Sequence, residues 1–478
     1  MHHEPSHCNV PRLPAGEPQG FADLSTLGRC GGVTQRIHAG AKLPRPVLEP
    51  RRPWESHRVY AYGTVLRDQE TGRFRMWYMA SGAELSAPRR DPRLDHRPQD
   101  LVLYAESVDG LAWERPDLGL YSFDGSTRNN IVWDYHSPSV VVDPAPAGAR
   151  ARYTMLGVQR VEGRSAYAVA HSPDGLTWQA YPRNPVLEGG DTCTLTRDQE
   201  NGRFLAFHKR YESSRGHRRR LVYLSSSHDL RRWSEPELAM APDEIDDEQT
   251  RREGGQCSQF YNMAAFRYTG CWLGMVTHFR YSGKRPVRSP GQSHDDGPID
   301  VQLAVSADGR TWRRLEDRSP VIANGPYGYD AGCILGVTNR PCIVGDEVWL
   351  YYTAVTTTHG GALPEKAITV AMARWRAEGF VSLDAGAQEG VVETGTFTTS
   401  GGRLYANAEA ADGGVAVEVT DADGAPIPGY GREDARPIRG DATRQAAVWR
   451  ERRTIPAGRP VRLRFHLRQA RLYSFVIA

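Results

Sequence analysis

The 478-residue chain has no apolar run long enough to cross a membrane, no long amphipathic helix and no heptad repeat. A helical membrane protein and a coiled coil are therefore not expected. Its first residues, Met1-His-His-Glu-Pro-Ser-His-Cys8, are polar and lack a signal-peptide core, so cytoplasmic residence is the expectation. The seven cysteines are an odd number without CxxC spacing. Cys193, Cys257, Cys271, Cys333 and Cys342 sit in apolar, strand-like contexts and read as small buried hydrophobes, while Cys8 and Cys30 could pair. A phosphate-binding glycine loop and a G-x-S-x-G elbow are both missing. Lysine is scarce: only four of the 60 basic residues are lysine, against 57 acidic residues and a net charge of +3. The arginine bias reads as coding composition, so neither a nucleic acid nor a membrane is an expected partner. A neutral small molecule or oligosaccharide fits this balance better than a polyanion. The run Arg215-Gly-His-Arg-Arg-Arg220 reads as a solvated hairpin tip, with an anion patch as the alternative.

What the chain has in plenty is turns, with 48 glycines and 32 prolines. One phrase recurs four times: Ser107-Val-Asp-Gly-Leu-Ala-Trp113, Ser172-Pro-Asp-Gly-Leu-Thr-Trp178, Ser227-His-Asp-Leu-Arg-Arg-Trp233 and Ser306-Ala-Asp-Gly-Arg-Thr-Trp312. Each follows an alternating strand-like run, so the Asp-Gly pair makes a hairpin turn and the Trp opens the next strand. Asp109, Asp174, Asp229 and Asp308 are thus turn-makers rather than catalysts.

An aromatic-rich strand recurs five times, at 73–80, 152–157, 203–210, 271–278 and 347–354. Each has a turn before it and an apolar strand before that, at 59–66, 139–142, 192–196, 260–266 and 331–337. The order is a four-stranded antiparallel unit repeated five times. The fold class is therefore all-β, a five-bladed β-propeller followed by a C-terminal β-sandwich. Residues 1–35 read as an irregular extension, 36–385 as the propeller and 386–478 as the sandwich. The fifth unit lacks the Asp-Gly phrase, and the segment 36–50 is the candidate to close the ring.

In a propeller the entering ends of the inner strands crowd around one mouth of the axis, which makes that mouth the expected pocket. The five entrances carry Pro53-Trp-Glu-Ser-His57, Asp134-Tyr-His-Ser-Pro-Ser139, Glu188-Gly-Gly-Asp-Thr192, Glu253-Gly-Gly-Gln-Cys-Ser-Gln259 and Tyr327-Gly-Tyr-Asp-Ala331. Carboxylates converging from different units perturb one another's pKa, as acid/base work on a glycosidic bond requires. Glu55, Asp191 and Asp330 are the first choices for that work. Glu188 and Glu253 are substitutes, and Asp134 ranks below them. Trp54, Tyr60, Tyr327 and Tyr329 are placed to stack on a sugar. His208, Lys209, Arg210 and His278 end aromatic strands and reach for the rim, as does His359. His57, His136, His278 and His359 lack metal-ligand spacing, so neither a metal nor another cofactor is expected.

Five such units with acids at the inner-strand starts resemble the five-bladed β-propeller glycoside hydrolases, among them families 32, 43, 68, 117 and 130. More closely, Tyr104-Ala-Glu-Ser-Val-Asp-Gly-Leu-Ala-Trp-Glu-Arg-Pro-Asp-Leu-Gly-Leu120, with Asp124-Gly-Ser126, Asn129-Asn-Ile131, Pro53-Trp-Glu55 and Arg75-Met-Trp-Tyr78, is similar to bacterial proteins labelled family 32-like. The resemblance implies a first-blade acid at Glu55 and a third-blade acid at Asp191 or Glu188. The chain departs from it in three places: W-M-N-D-P-N-G is missing, the E-C acid motif is missing, and Ser137 stands where a second-blade Asp is implied. The third carboxylate then comes from Asp330, or the usual hydrolysis is not run.

The leading expectation is a glycoside hydrolase cleaving a terminal furanosidic or pyranosidic bond. The alternatives are a repurposed propeller that rearranges or cyclises a small molecule, and a non-catalytic sugar-binding propeller.

Overall fold

The computed structural model describes residues 10–143, 152–289 and 291–478. Strands hold 51% of the chain and helices 5%, so the all-β expectation holds. The repeated phrase is a turn in all four copies. In the first, Asp109 Oδ1 accepts from the backbone N–H of Leu111 and Ala112, both at 2.8 Å, and Trp113 Nε1 donates to the Gly110 carbonyl at 3.1 Å. Asp174, Asp229 and Asp308 do the same in theirs. Gly110, Gly175 and Gly309 take the left-handed backbone at φ 74°, 79° and 72°, and Leu230 takes it at 62° in the third copy. A non-glycine residue there costs ~1–2 kcal/mol, which the burial of the Leu230 side chain offsets.

These turns join antiparallel sheets. The first contains Val59–Arg67, Phe74–Ser81, Asp100–Ser107 and Ile131–Trp133. The second contains His136–Val142, Tyr153–Val161, Arg164–Ser172 and Gln179–Ala180. The third contains Cys193–Asp198, Arg203–Ser214, His217–Ser227 and Glu237–Met240. The fourth, Cys257–Tyr268, Cys271–Tyr281, Ile299–Ser306 and Arg313–Arg314, is joined to the fifth by one parallel pairing, Ile299 with Cys333. The fifth contains Cys333–Val337, Glu347–Val355 and Ile368–Arg376, and Ala41–Lys42 pairs on its outer edge. The segment 36–50 thus reaches the last sheet, as the sequence suggests.

The first strand of each sheet touches that of the next, and the fifth touches the first. Buried hydroxyls stitch this ring. Ser139 Oγ accepts from Leu195 N at 2.8 Å, Thr64 Oγ1 from Val140 N at 2.8 Å, and Thr192 Oγ1 donates to the Tyr261 carbonyl at 3.2 Å. Ser137, 1% exposed, belongs to the same set and bonds both the N–H and the carbonyl of Cys193 at 3.2 Å. Asn339 crosses beneath, donating to the carbonyls of Val140 and Leu195. Each hydroxyl satisfies a polar group that burial would otherwise leave unpaired.

The C-terminal sheet runs Leu27–Gly31, Gly390–Thr394, Arg462–Arg468, Leu404–Thr420, Ala470–Ile477, Val381–Ala385, Thr34–Ile37. Leu404–Thr420 is one strand of 17 residues. Its first half pairs with Ala470–Ile477 and its second with Arg462–Arg468, which curls the sheet over Phe21, Val417, Trp449, Phe465 and Phe475. The segment 1–35 is not wholly irregular, since Gln19–Gly20 and Leu27–Gly31 are strands of this sheet. The suggested partner of Cys30, Cys8, lies outside the described residues. Cys193, Cys257, Cys271, Cys333 and Cys342 are buried. No helix among the described residues is long and apolar enough to cross a membrane.

Candidate active site

A cavity of about 690 Å³ opens where the first strands meet. Local irregularity aims its walls. The first strands of sheets one, two, four and five each carry extra residues at a register shift: between Tyr60 and Thr64, between His136 and Ser139, at Tyr261 and at Leu335. A bulge turns a side chain away from the ladder. Here it turns Tyr62, Tyr261 and Leu335, which line the cavity together with His136 at the edge of the second bulge. Ser137, in the second of these bulges, has the left-handed φ of 51°. In the third sheet the work is done by Gly189 and Gly190, at φ 88° and 140°, just before Asp191.

Asp191 is the centre of the cavity's polar wall. Lys209 Nζ lies 2.5 Å from its Oδ2 and His136 Nε2 lies 3.6 Å from its Oδ1. Its side chain is 42% exposed and lines the cavity. Burial alone would raise its pKa. Lys209 and His136 more than reverse that and hold the carboxyl well below the usual range. His136 Nδ1 in turn lies 3.1 Å from Asp100 Oδ2, and Arg97 Nε donates to the same oxygen at 3.1 Å. Burial disfavours the imidazolium, but Asp100 and Asp191 outweigh it and lift His136 to about 9. Burial lowers Lys209 to about 8 against the pull of Asp191, and its ammonium also sits 4.0 Å from the centre of the Tyr261 ring. The series Arg97–Asp100–His136–Asp191–Lys209 therefore alternates in charge, and within it the Asp191 carboxylate faces the cavity.

The cavity is also lined by Arg220, Asp295, His359 and Lys366. Arg220 donates to Asp295 Oδ2 at 2.7 Å and to Gln259 Oε1 at 2.6 Å. Its guanidinium lies 5.0 Å from the Tyr211 ring and 5.1 Å from the Phe279 ring. The run 215–220 is thus not a solvated tip throughout. Arg219 is 0% exposed and paired with Asp247 from the helix Glu244–Arg252, and Arg220 is 4% exposed. Tyr60, at the start of the first bulge, and Tyr62, within it, stack at 5.4 Å.

Of the three acids expected to act, only Asp191 reaches the cavity. Glu55 is fully buried and saturated. It accepts from Tyr78 Oη and Arg115 Nε, both at 2.6 Å, and from the backbone N–H of Arg51 and Arg52 at 2.7 and 3.0 Å. Asp330 is also fully buried, with Lys42 Nζ at 2.6 Å and Tyr352 Oη at 2.9 Å, so it latches the strand that completes the fifth sheet. Among the other candidates, Tyr60, His136 and His359 line the cavity, and Lys209 stands directly behind Asp191. The rest lie elsewhere. Trp54 bonds Asn130 at 2.6 Å and packs against Phe123. His57 and Glu188 are exposed. Arg210 covers Tyr223. Glu253 caps the helix and pairs with Arg280. His278 is buried between Ser258 and Gln302. Tyr327 and Tyr329 stack on each other, with Tyr329 Oη on the Leu43 carbonyl. Asp134, ranked lowest, is taken by Arg90 and His96. His57, His136, His278 and His359 do not gather, and among the described residues no group of three or more His, Cys, Asp or Glu side chains could hold a metal ion.

Sequence reasoning missed Tyr62, Asp100, Arg220, Tyr261, Asp295 and Lys366. One signal for Lys366 was present. Of only four lysines, Lys284 and Lys366 line the cavity and Lys209 backs it.

The chain matches no protein-family model and no curated protein. It is similar to several solved structures at low identity. A complex of BT0996 with RGII aligns with 73% of this chain and 93% of its own at 14% identity, TM-score 0.46. An N-acetylgalactosamine deacetylase from F. plautii, in complex with blood group B trisaccharide, aligns over 77% and 95% at 14% identity, TM-score 0.41. β-1,2-Mannobiose phosphorylase from Listeria innocua, in complex with β-1,2-mannobiose, aligns over 70% and 95% at 12% identity, TM-score 0.41.

Proposed function

We propose that the five sheets are blades of a five-bladed β-propeller over residues 36–385, that residues 386–478 with strands from 1–35 form a β-sandwich, and that the axial cavity cleaves a terminal glycosidic bond. The observation that carries the reading is Asp191, an ionised carboxylate fixed between Lys209 and His136 in a cavity walled by tyrosines. Glycoside cleavage needs a group to protonate the leaving oxygen and a carboxylate to activate water or to attack the sugar. Asp191 is too acidic to hold a proton at neutral pH and takes the second role. His136, protonated to about pH 9, is the proton donor in reach of the same space. Lys209 positions Asp191. Tyr60 and Tyr62 offer stacked rings to a sugar face.

The test is turnover of a panel of aryl glycosides and oligosaccharides by the whole chain and by Asp191→Asn. The variant is expected to lose activity about 10³-fold. Undiminished cleavage by Asp191→Asn overturns the assignment.

A second reading is a non-hydrolytic rearrangement or cyclisation of a small molecule. It is favoured by the state of the other acids: among the described lining residues the one further carboxylate, Asp295, is held by Arg220, and Asp330 is sealed away from the cavity. A product isomeric with its substrate, formed without incorporating solvent oxygen, separates this reading from hydrolysis.

A further inference from the structure

Lys366 lines the cavity, yet its side chain takes no part in the chemistry proposed for Asp191. It is 8% exposed, and its ammonium donates to one acceptor, the His359 carbonyl, at 2.5 Å. An ammonium has three donors, so two remain for whatever enters. Among the described residues no carboxylate stands within ion-pair distance of it. Asp296 is in its neighbourhood but is committed to Arg285 and to the backbone N–H of Gly360 at 2.8 Å.

The loop that carries Lys366 is held in place. Lys366 N donates to the Ala362 carbonyl at 2.9 Å, and His359 N donates to the Gly297 carbonyl at 3.0 Å. His359 Nδ1 bonds the Asp295 carbonyl at 2.8 Å. Burial, with Lys366 nearby, pushes the His359 ring down to about 3, so it stays neutral. The ammonium is thus fixed before any ligand arrives, and the ordering cost of binding is reduced.

The charge around it is one-sided. Both carboxylates of the lining are matched, Asp191 by Lys209 and Asp295 by Arg220. Two lysines of the lining, Lys284 and Lys366, add positive charge, and Lys366 is the buried one. A buried charge without a partner is costly, and an entering anion removes that cost. Burial lowers Lys366 to about 8; Cys333 and Asp296 pull it back and Arg58 pushes it further down.

We infer that the wall around Lys366 is a subsite for an oxyanion, a carboxylate, phosphate or sulfate group, so that the cavity takes an anionic sugar or a sugar together with a free oxyanion. This rests on the cavity being the substrate site. It also revises the neutral substrate that the overall charge suggested, because a net charge of +3 hides a local surplus.

The test is isothermal titration calorimetry on the whole chain with inorganic phosphate, sulfate, glucuronate, galacturonate, and the neutral sugars glucose and galactose. At least one oxyanion is expected to bind saturably. Lys366→Met is expected to weaken it about tenfold or more, and Lys366→Arg to restore most of it. Tighter binding of a sugar acid than of both phosphate and its neutral counterpart places the anion on the sugar. Tight phosphate or sulfate with no gain from a sugar acid makes it a free ion. Lys366→Gln, which keeps a donor for the His359 carbonyl, repeats the measurement if Lys366→Met fails to fold. The inference is overturned if the wild-type chain binds none of the oxyanions up to about 10 mM, or if a folded Lys366→Met or Lys366→Gln protein binds them as the wild type does. Binding is read without turnover. An anion that binds while no glycoside is cleaved therefore counts against cleavage alone, and cleavage of neutral glycosides with no anion bound counts against the subsite alone.

Discussion

Lys209 holds its ammonium 2.5 Å from Asp191 while only 1% of its own side chain is exposed, so the lysine is buried and the aspartate faces the cavity. The pair is asymmetric, and its two members should differ when removed. Asp191→Asn strands a buried ammonium and is expected to cost about 3 kcal/mol of stability. Lys209→Met leaves a carboxylate that the cavity can still solvate, so its cost is smaller. The double variant is expected to be more stable than the sum of the two by about 1–2 kcal/mol. Denaturant unfolding of the four proteins measures this. Strict additivity would show that the pair does not act as one unit.

His136 ties the pair to Asp100, and this makes a pH prediction. Its folded pKa of about 9 is above the ordinary 6.5, so its stabilising contribution is whole below about pH 6.5 and fades as pH rises through about 9. Asp191 and Asp100, both held below the usual carboxylate range, contribute above that range and lose their contribution in acid. Proton NMR of the His136 ring is expected to show the imidazolium persisting to about pH 9. Asp100→Asn should move that midpoint down by about one unit or more. A midpoint near 6.5 in the wild type would remove His136 as the proton donor.

Glu55 and Asp330 should behave as structure. Glu55→Gln leaves Arg115 without its counter-ion, and Asp330→Asn does the same to Lys42. Each is expected to lower stability by about 3 kcal/mol and to leave kcat within a few-fold of wild type below its melting temperature. Thermal unfolding paired with turnover checks both halves. A variant that melts like the wild type but has lost turnover would return that acid to the catalytic set.

The repeated units were legible because a hairpin turn and an aromatic strand leave periodic marks. The acids were harder to read, because a carboxylate beside a strand entrance looks the same whether it points inward or caps a turn. Even so, Arg52-Pro-Trp-Glu55 carries a mark that separates it from Asp191. Proline at the first position and glutamate at the third of a short helical turn is a capping arrangement, and Glu55 does fold back onto the Arg52 N–H. Asp330 closes a similar short turn, Gly328–Asp330. Asp191 follows Gly-Gly and has no turn to cap, so it is left facing the cavity. Ser137 stood out as a missing acid, but it is a stitch between inner strands, and the neighbouring His136 faces Asp191 instead. The bulges that aim Tyr62 and Tyr261 depend on pairing between distant segments, which a single strand's pattern does not reveal.

Two glycines beside those bulges give the last prediction. Neither has a left-handed φ, so what a side chain would meet decides the outcome. A Cβ on Gly63 would come within 2.0 Å of the Trp77 carbonyl oxygen, a backbone atom of the neighbouring strand that cannot step aside. A Cβ on Gly336 would come within 2.8 Å of the Tyr62 ring instead, and a ring at the edge of a cavity has somewhere to go. Gly63→Ala is therefore expected to destabilise the first sheet by about 3 kcal/mol or more, with catalysis following the folded fraction. Gly336→Ala is expected to cost about 1–2 kcal/mol and to move the Tyr62 ring, raising KM while kcat changes little. Unfolding curves and steady-state kinetics on both variants separate these effects. Equal losses of stability with unchanged KM would mean that Tyr62 does not touch the substrate.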